Sequence, residues 1–241
     1  MGTLYIVSTP IGNLKDITLR ALEVLASVDY ILCEDTRVTG KLLSHLEISK
    51  RMVSFGDFNE ESKKEQIIAE LLNGTNIALV SDAGTPLISD PGFKLVRDGA
   101  RAGVQIESIP GPSAAVCALT VSGLPTDKFL FVGYLPKKDG KRLEVLRKLT
   151  VFHQRHAELV SASNDKIPKR VRDDSLKCTV ICYESPFRLL RTLADIKEVF
   201  GDIDVVVCRE LTKMHEEVFR GIVGEALEHF KNPRGEFVVL F

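Results

Sequence analysis

An α/β fold in two domains is predicted for this 241-residue chain: an N-terminal domain built on a parallel sheet and a C-terminal domain built on a mixed one. Three observations predict it. Short β-branched runs alternate with helical patterns up to about residue 122, as strands buried in a parallel sheet do. Beyond that point two strand-like runs follow one another with no helix between them, which points to a mixed sheet. Hydrophobic residues make up 44% of the chain, enough for a substantial core.

In chain order, the strands of the first domain are read at TLYIVST (3–9), YILCE (30–34), RMVSF (51–55), NIALVS (76–81) and VQIESI (104–109), each bounded by Gly, Pro or Asp. Apolar spacing predicts helices between them, with Leu19, Leu22 and Ala26, then Ile67, Leu71 and Leu72, then Phe93, Val96 and Ala100 as their core faces. Asp90-Pro91 reads as a helix start, with Asp90 as N-cap and Pro91 at the first helical position. SGLPTDKF (122–129) is read as the connection, dividing the chain into 1–122 and 123–241. The second domain continues with FLFVGYL (129–135), a basic helix, CTVICYE (178–184), a helix over 186–200, DVVVCREL (204–211), EVFRGIV (217–223), a short helix and GEFVVLF (235–241). Residues 151–176 have weak periodicity, one proline and alternating charges. They read as an inserted exposed loop or helical hairpin, which costs little closure entropy, or as an added basic RNA-binding loop.

Lys and Arg (32) nearly balance Asp and Glu (33), for a formal charge of −1, which argues against a dedicated polyanion binder but leaves local basic patches open. The five cysteines are scattered, and neither they nor the five histidines have zinc-site spacing, so no metal is expected. No targeting segment and no apolar run of about 18 residues is present; a cytoplasmic protein without a membrane span is the expectation.

The loop SDAGTPLISDPG (81–92) leaves the fourth strand. Gly84 permits a positive φ or a close backbone approach, Pro86 stiffens the turn, and Asp82 puts a carboxylate just past the strand. In open α/β sheets that rim is where ligands bind. STPIGN (8–13) and PGPSAA (110–115) leave the first and fifth strands at the same rim, with Ser113 as a further N-cap candidate. Three rigid, small-residue loops suit a polar, neutral or zwitterionic cofactor gripped through main-chain groups. Neither G-x-G-x-x-G nor the P-loop pattern occurs, which weakens a dinucleotide or nucleotide reading.

These loops, with LYIVSTPIGNLKDITLRALEVL, CEDTRVTGKLL, IPGPSAA, YESPFRLL, RELTK and the closing GEFVV, resemble the tetrapyrrole-methylase superfamily, within it the branch that methylates a cytidine 2′-oxygen of small-subunit ribosomal RNA. The resemblance covers nearly all the chain except about 151–176. It implies a two-domain homodimer that holds S-adenosylmethionine in a cleft between domains and acts on a decoding-centre cytidine of 16S rRNA within the 30S subunit. Carried over position by position, the cofactor contacts are Pro10, Asp82, Ala83, Gly84, Thr85, Ile88, Ser113 and Ala114, with Tyr183 and Glu184 on the adenine side.

A ribose hydroxyl is a weak acid, so its attack gains from a hydrogen-bond acceptor or base. CEDTR supplies Glu34, Asp35 and Arg37 past the second strand; Asp35 is the candidate for orienting the hydroxyl and Arg37 for a phosphate. The same residues equally describe a helix N-terminus with a local ion pair. In SFGDFNE (54–60), Gly56 and Phe58 stand where relatives carry histidines, and Asn59-Glu60 reads as the capping pair of the following helix. Lys137, Lys138, Lys141 and Arg142, within a run that also holds Arg147 and Lys148, are candidate RNA contacts, or equally a solvated helix face; Lys213 and His215 join them by resemblance. Some flipping of the target nucleotide is expected. Two alternatives stay open: a methylase of the same fold acting on a tetrapyrrole or protein side chain, and a noncatalytic nucleotide- or RNA-binding module.

Overall fold

A computed structural model describes the backbone of residues 1–161 and 178–241, and side chains outside 151–177. The chain divides into two compact units, Met1–Ala114 and Ala115–Phe241. Residues 162–177, which hold most of the segment 151–176 read as an insertion, lie outside the described residues.

In the first unit, strands β1 (Thr3–Val7), β2 (Tyr30–Cys33), β3 (Arg51–Ser54), β4 (Ile77–Val80) and β5 (Gln105–Ile109) form one sheet in the order β3-β2-β4-β1-β5, every pair parallel. Helices α1 (Leu19–Ser27), α2 (Thr36–His45), α3 (Glu60–Leu72) and α4 (Phe93–Arg101) connect them. Alternation along β1 sends Leu4 and Ile6 into a core with Ile67 and Leu71 of α3 and Leu95 of α4. Val7 goes to the opposite core with Ala21 and Leu25 of α1 and Leu43 of α2.

Two helices sit in a different phase from the one their sequence suggested. In α1 the core side is Ala21 and Leu25, while Leu19 is 77% exposed; in α4 it is Leu95 and Gly99, while Phe93 is 63% exposed. Both segments carry two overlapping apolar sets at helical spacing, and contact with the sheet selects between them. In α3, Ile67 and Leu71 are buried as read, and Leu72 is at the surface.

The second unit holds α5 (Ala114–Ser122) from Ala115 onward, ahead of the connection read from sequence at 122–129. Its sheet runs β6-β7-β10-β8-β9, from β6 (Phe129–Tyr134), β7 (Thr179–Glu184), β8 (Asp204–Arg209), β9 (Glu217–Ile222) and β10 (Phe237–Leu240). β6 and β7 are parallel; the remaining pairs are antiparallel, with β8 and β9 the helix-free succession. Helices α6 (Asp139–Ser161), α7 (Leu189–Phe200) and α8 (Val223–His229) complete it. Leu146, Leu193, Ile196 and Ala226 from these helices meet Val180, Val207 and Val239 of the sheet in one core. Arg220 of β9 donates to the carbonyls of Val121 and Ser122 at the end of α5.

Candidate active site

Because all strands of the first sheet are parallel, every βα loop leaves from one rim. Strand order makes one place on that rim special. The chain leaves β1 for β2 through α1 on one face, and leaves neighbouring β4 for β5 through α4 on the other. The connections therefore diverge at the β1/β4 boundary and open a crevice there. Loops 8–13 and 81–92 border it.

Those loops are tied together by main-chain groups and hydroxyls. Thr9 and Gly84 exchange both backbone hydrogen bonds, at 2.8 and 3.1 Å. The Thr9 hydroxyl donates to the Ser81 carbonyl (3.2 Å) and the Ser81 hydroxyl to the Gly84 carbonyl (3.1 Å). Ser8 Oγ donates to Thr85 Oγ1 (3.1 Å), which donates to the carbonyl of Pro112 in the third loop (3.0 Å). Gly84 has φ +85°, as its place in the turn requires. A Cβ on Gly111 would lie 2.7 Å from the Ser8 Cβ, so the first and third loops pack as closely as glycine allows. Pro10 and Gly84 are buried; Asp82, Thr85, Ser113 and Ala114 are half-buried; Ala83 and Ile88 are exposed.

The loop's helix start differs from the expectation. Helix α4 begins at Phe93, and its N-cap is Gly92, at φ +122°, rather than Asp90. Glu60, 4% exposed, performs the capping from another helix: its Oε1 accepts from the amides of Lys94 (2.9 Å) and Leu95 (3.1 Å). Glu60 thus serves α4, and not the α3 terminus for which the capping pair was read. Asn59 Oδ1 accepts from the Gly56 amide at 2.9 Å and closes the preceding turn. Phe58 in that turn is fully exposed.

Released from capping, Asp90 joins Glu34, Asp57 and Asp82 at the ends of β4, β2 and β3. The Asp82 Oδ1 accepts from the Asp35 amide (3.1 Å), joining two of these loops. Burial raises the Asp90 carboxyl to about 6, assisted by Glu34 and Asp82 and opposed by a hydrogen bond with Ser81. Burial also pushes Glu34 up, with Asp82, Asp57 and Asp35 adding to it, and Asp82 is raised for the same first reason. Asp35 goes the other way. It caps α2 by accepting from the Arg37 amide (2.8 Å), and both its oxygens bind the Arg37 guanidinium, with Nε at 3.0 and 3.1 Å and Nη2 at 2.5 Å. These bonds hold the Asp35 carboxyl down at about 2. The Arg37 side chain is 86% exposed. Asp57, Ser81 and Asp90 were not singled out as site residues from the sequence: Asp90 looked like a cap, and only the fold of its loop turns it away. A shallow polar depression lined by Tyr30, Arg51, Glu70 and Thr75 lies at the strands' N-terminal ends, on the opposite rim. Among the described residues, no group of His, Cys, Asp or Glu has an arrangement that holds a metal ion, and no helix is long and apolar enough to cross a membrane.

In the second unit, Glu184 is fully occupied. Its oxygens take the Ser185 amide (2.8 Å), the Thr192 hydroxyl (2.6 Å) and Arg188 (3.3 Å), so only its backbone is left to contact a ligand. The Tyr183 ring packs edge-on against Phe131 and Tyr134, at 4.8 and 5.7 Å. Lys137, Lys138 and Lys141 project into solvent, but Arg142, grouped with them in the sequence, is 2% exposed. Its Nε binds Asp195 of α7 (2.5 Å) and its Nη2 binds Asp139 (2.8 Å), so it is buried in joining two helices. Lys213 lies between Glu210 (3.0 Å) and Glu236 (2.6 Å), and His215 is exposed.

Residues 3–227 match the family described as Tetrapyrrole (Corrin/Porphyrin) Methylases. The chain is 45% identical to the ribosomal RNA small subunit methyltransferase I of Thermotoga maritima, over all of this chain and 98% of that protein. It is 46% identical to the protein of the same name from Escherichia coli O157:H7, over 99% of this chain and 77% of the other. In fold it is similar to diphthine synthase (TM-score 0.69, 14% identity) and to the uroporphyrin-III-C-methyltransferase of Thermus thermophilus (TM-score 0.61, 21% identity); all of this chain is covered, with 90% and 94% of theirs. A switch-point crevice laced by hydroxyl- and glycine-rich loops, with this match over nearly its whole length, places the chain in the tetrapyrrole methylase family.

Proposed function

We propose that this chain transfers the methyl group of S-adenosylmethionine to the ribose 2′-oxygen of a decoding-centre cytidine in 16S ribosomal RNA. The observation that carries the reading is the 45% identity, end to end, with a ribosomal RNA small subunit methyltransferase. The rim fits the donor. The stretches 8–13, 81–92 and 110–113 contain no lysine or arginine and offer hydroxyls and main-chain groups. The Glu34 and Asp82 carboxylates beside them favour a cationic sulfonium. Pro10, Asp82, Ala83, Gly84, Thr85, Ile88, Ser113 and Ala114 hold the donor in this reading.

When bound, the donor supplies an activated methyl group on a good leaving group. The protein's task is then placement: Thr9, Gly84 and Thr85 fix the loops so that the ribose oxygen is held in line with the methyl carbon, with water kept out. The exposed Arg37, aligned by Asp35, grips a phosphate beside the target. Lys137, Lys138 and Lys141 meet the RNA backbone. The reading extends to a homodimer acting on the 30S subunit in the cytoplasm.

Incubating the protein with 30S subunits and tritiated S-adenosylmethionine tests it. Label is expected in RNA, released by ribonuclease, on a nucleotide whose 3′ linkage resists alkali. Label on protein, or donor binding without transfer, overturns the reading.

A further inference from the structure

We propose that Asp90 takes the proton from the attacking ribose hydroxyl, while Asp35 holds Arg37 in place. The inference rests on the methyl transfer proposed above and assigns the base at that site.

Geometry separates the two aspartates. The stretch leading to Asp90 passes through left-handed backbone at Leu87 (φ +71°) and Ser89 (φ +69°), and Gly92 beyond it has φ +122°. Non-glycine residues stay in that region only where the surroundings over-determine them, and such strain concentrates at functional sites. Its effect here is to turn Asp90 back onto Ser81 at the end of β4, while Glu60 fills the cap of α4 in its stead. A Cβ on Gly92 would stand 2.7 Å from Leu79 Cδ2, so the chain passes there at the limit of close packing. The groups whose charge acts on Asp90 are Glu34 from the end of β2, Asp57 from beyond β3 and Asp82 from its own loop. All three are carboxylates. Asp35, by contrast, has both oxygens on Arg37, which holds its carboxyl down at about 2. Asp82 already accepts the Asp35 amide.

A base works best when its pKa lies near the working pH, and burial with the neighbouring carboxylates brings Asp90 to about 6. In the step itself, the 2′-oxygen forms a bond to the methyl carbon as the carbon–sulfur bond breaks. The bonding pair stays on sulfur as a neutral thioether, and the hydroxyl proton passes to the Asp90 carboxylate, which later returns it to water. The rate therefore rises as Asp90 deprotonates and levels off above its pKa.

Single-turnover methyl transfer to 30S subunits, followed across pH with Asp90→Asn, Asp90→Glu and Glu34→Gln beside the native protein, tests the assignment. Asp90→Asn is expected to lower the rate about 10²- to 10⁴-fold and to abolish the rising limb, with calorimetric affinity for S-adenosylmethionine kept within about threefold. Asp90→Glu is expected to keep the limb at reduced rate. Glu34→Gln is expected to move the limb to lower pH, because Glu34 raises Asp90. A readout without turnover accompanies these: carbon-13 NMR of the free protein should show an aspartate carboxyl titrating near 6 that Asp90→Asn removes. An Asp90→Asn protein with an unaltered limb, a limb abolished by Glu34→Gln instead, donor affinity lost in parallel with rate, or no such titration overturns the assignment. If the native protein methylates no ribose, the functional reading falls and takes the assignment with it. If it does so and Asp90→Asn is equally active, only the assignment falls.

Discussion

Glu60 occupies a position a reader of the sequence assigns to its own helix, yet its carboxylate binds the first amides of α4 from 34 and 35 residues away in sequence. Buried, charge-assisted bonds of this kind contribute more than neutral ones, because their loss strands donors away from water. Glu60→Ala is expected to destabilise the protein by about 1–3 kcal/mol, measured by urea denaturation, and Glu60→Gln by less, since one acceptor remains. Asp90 carries the opposite sign. Its folded pKa of about 6 lies above the ordinary aspartate value, so the native state binds the extra proton and this residue's contribution to stability falls as pH rises from about 4 to 6. Above that window its charge is a burden on the fold. Asp90→Asn is therefore expected to melt higher than the native protein at about pH 7.5, with the difference closing near pH 4 in calorimetric scans. A mutant that melts lower at neutral pH would show that the ionised group stabilises the loop. Neither residue's role was legible in the sequence: an Asp before Pro and a Glu after Asn are ordinary cap signals, and only tertiary contact decides which helix end a carboxylate serves.

At the level of elements, strand positions were readable because apolar β-branched runs bounded by Gly, Pro or Asp have few other uses. Among the described residues, each of the ten strands ends within two residues of its run in the sequence. Helix phase was less readable. Leu19 and Phe93 fit a helical stripe as well as Ala21 and Leu95 do, and the choice is made by the sheet, which the helix pattern does not contain. Gly92 marks where that choice becomes rigid: it lies at φ +122° and is hemmed in by Leu79 and Leu87. Gly92→Ala is expected to cost about 1–3 kcal/mol from backbone strain alone, with methyl transfer reduced further because the 81–92 loop shifts. Arg142 is a second case of tertiary override. In sequence it is one of six cations between residues 135 and 148; in the fold it holds α6 to α7 through Asp195. Arg142→Ala leaves Asp195 without its partner and is expected to destabilise by about 3–5 kcal/mol, seen as a lower denaturation midpoint. A loss of RNA affinity with stability intact would return Arg142 to the RNA contacts.

For the molecule as a whole, the α/β class, the two sheets and the rim bearing the loops followed from the order of elements, since parallel strands place all βα loops at one end. The acid group followed only from the fold, because Glu34, Asp57, Asp82 and Asp90 are spread over 57 positions of sequence, numbers 34 to 90. Charge supplies the last test. With a formal charge of −1 and carboxylates gathered at the rim, the protein has no general attraction for RNA and must rely on local cations. Once Arg142 is set aside, Lys137, Lys138 and Lys141 are the cluster at the head of α6 that remains exposed. Each phosphate neutralised by such a lysine contributes roughly 0.7–0.9 to the slope of log affinity against log salt. Replacing all three by alanine is thus expected to reduce that slope by about 2–3, most visibly as a raised KM for 30S subunits between about 50 and 200 mM salt, with kcat at saturation unchanged because such contacts act on encounter. An unchanged slope would move the RNA contact to another face, while a fall in kcat with KM unchanged would mean that these lysines act on the reaction and not on encounter.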